Sequence, residues 1–299
     1  MRLIDFFERG VRFWPDTACL VDPSGSQTYT EVSIRSHQTA SALVSNGLKP
    51  GGIVAILSQN CSKAFEAWIG AARADGVWVG LAALNSVSEN TYILNHRSAE
   101  WLFIHSDFKE QIPQIRKDCP DLKHIICLDE KIDGYQTFEE FIQGHSDIFP
   151  EITYDRDSII SHFSSGGTTG QPKGALWTSL TWQAWSANVF AHLPIKKRPV
   201  HLVASSMAHG AGVFVWPIFA FGGTIVSIPK ADPNSVLKAI QIHGVTHTFL
   251  PPTVIYMMLA YPEAKQYDCS SMDYLIYGGA PMSADKVKEA IDVFGPCMT

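Results

Sequence analysis

Short runs of Val, Ile, Leu and aromatic residues alternate with helix-length stretches along most of this chain, and that alternation narrows the folds open to it more than any other feature. Residues 53–57, 77–81, 101–105, 124–128, 158–163, 201–204, 224–228, 246–250 and 274–277 read as strands. Residues 63–74, 179–191, 233–243 and 284–294 read as helices between them. Val- and Ile-rich strands separated by helices build parallel sheets covered on both faces, because a parallel pair needs a long crossover. The expected fold class is α/β, with layered, parallel-rich sheets covered by helices. At 299 residues, 46% hydrophobic and 17% charged, the chain can bury a large core in one or two subdomains.

One segment between a strand and a helix carries chemistry: Ser164-Ser165-Gly166-Gly167-Thr168-Thr169-Gly170-Gln171-Pro172-Lys173-Gly174. Glycines at 166, 167 and 170 remove the Cβ atoms that would hold backbone N–H groups away from an anion. Hydroxyls at Ser165, Thr168 and Thr169 add directional donors, and Lys173 adds a positive charge on a flexible stem. The pattern suits a polyphosphate better than it suits a plain Gly/Ser surface turn, which has no use for a fixed charge beside a proline. Spacing excludes two familiar phosphate loops. Lys173 follows Pro172 and precedes Gly174, unlike the Gly-Lys-Ser/Thr ending of the ATPase loop, and G-x-G-x-x-G occurs nowhere in the chain.

Ser165 through Gly174 resembles the signature of the adenylate-forming superfamily, which comprises acyl-CoA synthetases, luciferases and peptide-synthetase adenylation domains; Gly166 stands where many members carry serine. Met207-Ala208-His209-Gly210-Ala211-Gly212 is similar to the family segment whose histidine or aromatic ring borders the carboxylate-substrate pocket. Tyr277-Gly278-Gly279-Ala280-Pro281-Met282 is similar to the glycine-rich turn against the adenine. The similarity extends through 48–51, 77–85 and 221–252, and so covers nearly the whole chain.

The resemblance implies an acetyl-CoA synthetase-like N-terminal domain, truncated, filling residues 1–299 with subdomains 1–178 and 179–299. It implies an AMP-forming ligase: a carboxylic (fatty) acid and ATP give an acyl-adenylate and pyrophosphate, and CoA then displaces AMP. Catalytic roles would fall to Lys173 and His209. Ser165, Gly166, Gly167, Thr168, Thr169, Gly170 and Lys173 would hold the phosphates, and Gly278, Gly279, Ala280 and Pro281 would flank the adenine of ATP or AMP. The family's magnesium-binding glutamate and ribose-binding aspartate would follow Thr299, so a Mg2+ ligand is expected beyond the chain end and none within it. The family's C-terminal domain with its adenylation lysine is absent too, so this piece alone is expected to be inactive. Two readings stay open beside the CoA ligase: adenylation for a carrier protein, and a nucleotide-binding module without turnover.

A formal charge of -6 argues against a nucleic-acid surface, which needs a basic face. Six cysteines without a C-x-x-C pair fit a reducing cytoplasm, and charges at Asp5, Glu8, Arg9, Arg12 and Asp16 interrupt any secretory leader. Residues 199–229 hold no Asp, Glu, Lys or Arg, yet His209, Pro217 and Gly222-Gly223 break them into pieces too short to span a bilayer, so no integral membrane segment is expected. His243 and His247 straddle Gly244 and two β-branched residues, which reads as a helix-to-strand change and not as a metal pair. Trp182, Trp185 and Phe190 read as core, and Glu139-Glu140 as a solvated helix face. A lone histidine such as His209 is ordinarily a core residue. Here Gly210 and Gly212 leave room for a ligand, and Val213, Phe214, Trp216 and Phe219 would supply an apolar cavity.

Overall fold

The computed structural model describes residues 1–153, 155–165 and 173–299, with backbone alone for Ser164, Ser165 and Lys173. Among the described residues the strands are β1 (Ala18–Asp22), β2 (Gly25–Thr28), β3 (Ile53–Leu57), β4 (Val77–Leu81), β5 (Trp101–Ile104), β6 (His124–Cys127), β7 (Gln136–Thr137), β8 (Ile159–Ser165), β9 (Lys173–Thr178), β10 (Val200–Val203), β11 (Thr224–Ser227), β12 (His247–Leu250) and β13 (Tyr274–Tyr277). They form two sheets in two compact units. The first unit comprises Met1–Asp5 and Thr30–Trp185, the second Phe6–Tyr29 and Ser186–Thr299.

The first unit holds a seven-stranded sheet in the order β7-β6-β5-β3-β4-β8-β9. All its neighbours run parallel except β8 and β9, which form an antiparallel hairpin with Ser164 opposite Gly174 and Ser165 opposite Lys173. The second strand of that hairpin went unseen in the sequence because Gly174 interrupts its apolar alternation. A Cβ on Gly174 would overlap the buried His162 imidazole across the hairpin, so only glycine allows that approach. Trp68, on the helix Ser62–Arg73, stacks on Trp78 of β4 at 4.1 Å, and buried Trp182 donates its indole N–H to the Ser161 hydroxyl at 3.0 Å. Trp182 is core, as the sequence suggests.

Glu139 and Glu140 do more than face solvent. Glu139 pairs with Arg35 at 2.8 Å and Lys63 at 3.3 Å, while Arg35 also holds the buried Glu66. The Arg35 hydrogen bonds hold the Glu139 carboxyl below its ordinary range. Glu140 accepts from the Thr137 amide at 2.9 Å and closes a capping box at the start of the helix Phe138–Ile142. Sequence alone could not foresee the Glu139 cluster, since Arg35 lies 104 positions away, whereas Thr137-x-x-Glu140 carries the capping-box spacing.

The second unit is a six-stranded sheet in the order β13-β12-β10-β11-β1-β2, parallel except for the β1–β2 hairpin at one edge. Side chains alternate between its faces. Leu202, Val226, Leu250 and Leu275 join one core with Val236, Leu237, Ile240, Ile255, Met258 and Phe294 of the helices Pro233–His243, Pro252–Leu259 and Ala284–Phe294. The first of these helices is capped by the Asp232 side chain, which accepts from the Ser235 amide, and it ends at Gly244 with φ 59°. His243 and His247 thus fall on a helix end and a strand. The opposite face carries His201, His247 and Phe249, with Tyr274 beside His247 in register.

Residues 199–229 resolve into β10, the short helical turns Gly212–Phe214 and Val215–Phe219, and β11. Among the described residues no helix is long and apolar enough to cross a membrane. Trp216 and Phe219 are fully buried, and Phe219 packs edge-on against Phe7 and Tyr29 at 5.4 and 6.1 Å. These two rings therefore belong to the core.

Candidate adenylate site

Three parallel strands of the second unit, β10, β12 and β13, end side by side, and the segments leaving them are 204–212, Pro251 and Gly278–Pro281. Ligands of open α/β sheets bind outside the carboxyl ends of strands, because no helix covers the loops there. The sequence thus places its His209 and Gly278 motifs where a parallel sheet offers room.

The 206–212 segment is a tight turn. The His209 amide donates to the Ser206 carbonyl at 3.1 Å, the Gly212 amide to the His209 carbonyl at 3.0 Å, and the Ala208 amide to the Ser206 hydroxyl at 3.2 Å. His209 is half-buried, unlike a core histidine. Gly210 lies flat against the ring of Phe249, which a Cβ would overlap. From the other side Gly278 approaches the same ring, with its would-be Cβ 3.1 Å from Phe249 Cε2. Phe214 stacks on that ring at 6.0 Å and 26°. Phe249 is therefore a shared wall between the two motifs, and its half-buried edge reaches solvent.

Gly279 takes φ +84°, a left-handed conformation that glycine accepts without strain, and nothing lies within 4 Å of where its Cβ would be. Ala280 and Pro281 are exposed. This turn is open and poor in side chains. Among the described residues no cluster of three or more His, Cys, Asp or Glu could hold a metal ion.

Ser165 and Lys173 occupy the paired ends of β8 and β9 in the first unit, so the hairpin delivers both to the start of the loop. Gly166, Gly167, Thr168, Thr169 and Gly170 lie outside the described residues. The structure thus brings Gly210, next to His209, and Gly278 together on Phe249. A cleft of about 370 Å³ beside Tyr261 and Lys265 and a small hollow of about 20 Å³ beside Arg2 and Arg73 are lined by none of these residues. Volume alone is a poorer guide here than strand ends and glycine contacts.

Sequence reasoning missed Phe249, because an aromatic residue within a strand reads as core. It also passed over His201, which pairs in register with His247 across β10 and β12; His247 itself is the buried structural histidine the sequence suggests. Burial pushes both imidazoles down to about 4, so both are neutral at pH 7.

The AMP-binding enzyme family model matches residues 7–299. The chain belongs to the AMP-binding enzyme family. The chain is 26% identical over 89% of its length to a medium/long-chain-fatty-acid–CoA ligase, FadD8 of Mycobacterium tuberculosis, covering 48% of that protein. It is 27% identical over 95% of its length to a feruloyl-CoA synthase of Amycolatopsis, covering 57% of it. The chain spans about half the length of these curated relatives. Among solved structures, the anthranilate CoA ligase AuaEII in complex with anthranoyl-AMP superposes over the whole chain and 59% of its own, with a TM-score of 0.90 at 24% identity. The inhibitor-bound N-terminal domain of FACL13 from Mycobacterium tuberculosis gives 0.87 at 22% identity, covering 97% of this chain and 73% of that one. At such identities these two establish the fold: parallel-rich sheets with helices, as in the N-terminal domains of adenylate-forming enzymes.

Proposed function

We propose that this chain forms the ATP- and acid-binding part of an AMP-forming carboxylic acid:CoA ligase. The observation that carries the reading is the convergence of the His209 turn and the Gly278 turn on Phe249, at the carboxyl ends of parallel strands. The family match and the CoA-ligase relatives support it. In this reading Ser165, Lys173 and the intervening Gly166, Gly167, Thr168, Thr169 and Gly170 hold the β- and γ-phosphates of ATP. Gly278, Gly279, Ala280 and Pro281 flank the adenine, and His209 borders the acid carboxylate. A carboxylate oxygen then attacks the α-phosphorus and pyrophosphate leaves. In such phosphorus chemistry the protein contributes alignment and charge stabilisation. CoA takes the acyl group in the second step, and Mg2+ accompanies the ATP. Six cysteines without a C-x-x-C pair suit a reducing compartment.

The test is acid-dependent ATP–pyrophosphate exchange by the full-length protein over a panel of aliphatic and aromatic acids, followed by acyl transfer with CoA or with a carrier protein. Exchange plus acyl-CoA formation is expected. Exchange with transfer only to a carrier protein would replace CoA as acceptor, and absence of exchange with every acid would overturn adenylation.

A further inference from the structure

His201 stands under the turn that carries His209. Its ring is fully buried on β10, and its Nε2 lies 3.3 Å from the carbonyl oxygen of Ala211, two residues beyond His209. Ala211 is itself fully buried, so its carbonyl needs a donor from within the protein. The same ring tilts against Phe214 at 5.9 Å, and Phe214 in turn stacks on Phe249. His201 Nδ1 has no hydrogen-bond partner among the described residues, which matches a neutral imidazole carrying its proton on Nε2. His247 supports the arrangement from the next strand. Its Nδ1 meets the Thr246 hydroxyl at 2.6 Å, and its ring packs 5.1 Å from Tyr274.

We propose that His201 is a positioning residue for the acid pocket: its Nε2–H, bonded to the Ala211 carbonyl, fixes the 206–212 turn and thereby the direction in which His209 and Gly210 face the bound carboxylate. This rests on the reading of His209 as a pocket residue. An apolar side chain of similar bulk would fill the same space on the sheet but would remove this tie between the sheet and the Ala211 carbonyl, leaving the turn held by its own backbone bonds and by the start of Gly212–Phe214. Loss of that one hydrogen bond loosens the turn against the sheet without unfolding it.

The experiment compares His201→Leu with His201→Gln, whose amide nitrogen can reach the Nε2 position, in the full-length protein. In acid-dependent exchange, His201→Leu is expected to raise the KM for the acid about three- to tenfold while leaving the KM for ATP unchanged, as loss of one hydrogen bond implies. His201→Gln should return the acid KM to within about twofold of the parent. Nitrogen-15 spectra of the unsubstituted protein at pH 7 should show His201 as the neutral Nε2–H tautomer. In either variant that folds, the amide signals of His209 and Ala211 should move in the leucine form and return in the glutamine form. Equal loss in both variants, or unchanged acid KM in a folded His201→Leu protein, would overturn the positioning role in favour of packing. A charged or Nδ1–H imidazole at pH 7 would overturn it even where neither variant folds. Absence of exchange in the unsubstituted protein would instead sink the adenylation reading, and the tautomer and amide signals would then still decide for or against His201.

Discussion

Cutting Lys173 back to alanine removes a charge at the end of β9 while leaving the hairpin's backbone pairing in place. An ammonium about 4 Å from a phosphate charge gains about 4 kcal/mol at an effective dielectric near 20, a ceiling that water and counterions lower. Lys173→Ala is therefore expected to slow adenylation by about ten- to a thousandfold, measured as pyrophosphate exchange, with an unchanged melting temperature. An unchanged exchange rate would sink the phosphate role. At the second motif, His209→Ala should change the KM for the acid and the preferred acid length while ATP affinity stays as it was. The half-buried position supports this expectation. A histidine that merely filled core would cost about 2 to 4 kcal/mol on truncation and leave the ranking of acids untouched, so thermal melts and a chain-length series together decide the matter.

At the level of elements, two glycine contacts set how closely backbone and ring approach. Gly210→Ala would drive a methyl into the Phe249 ring, and overpacking of this kind costs about 1 to 3 kcal/mol. Phe249→Leu alone should widen the range of acids accepted. Combined with Gly210→Ala it should recover part of the lost stability, and a double-mutant cycle on melting free energies checks the coupling. Additive effects would mean that the two residues do not touch. These contacts also mark where the sequence stopped being informative. Strands such as β3 and β13 were legible because apolar residues run unbroken through them. The Ala18–Asp22 and Gly25–Thr28 hairpin was not, since Gly, Ser, Gln and Asp carry no strand pattern and its place is fixed by pairing with β11. The helix Tyr29–Ser45 escaped notice because its buried positions include Ser33, Ser36 and Thr39 among the apolar ones. At the site, His209 and the Gly278 turn were legible through their resemblance to the family's motifs, helped by the room that Gly210 and Gly212 leave. Phe249 did not, because its role comes from meeting Gly210 and Gly278, neither of them near it in the chain.

For the whole molecule, three buried histidines bias stability against acid. Desolvation is the leading cause at His162, His201 and His247, and each is pushed down to about 4 from an ordinary value near 6.5. The unfolded chain takes up protons at these residues as pH falls below about 6.5, whereas the folded chain resists until about 4, so stability is lost across that window and is fully present above it. Each histidine contributes a slope of up to about 1.4 kcal/mol per pH unit there. Denaturant midpoints measured from pH 7.5 to 4.5 should fall steadily, and His201→Gln should flatten the fall. An identical pH profile in that variant would remove His201 from the account. The second unit has another property, one of timing. Its sheet takes β1 from residues near the start of the chain and seats it against β11, with Leu20 opposite Ile225. During synthesis the Phe6–Tyr29 segment must wait for roughly 200 more residues, about 10 to 40 seconds at ordinary elongation rates. Ribosome-bound chains stalled before residue 224 should therefore leave that segment open to protease, and chains released after the unit is complete should not.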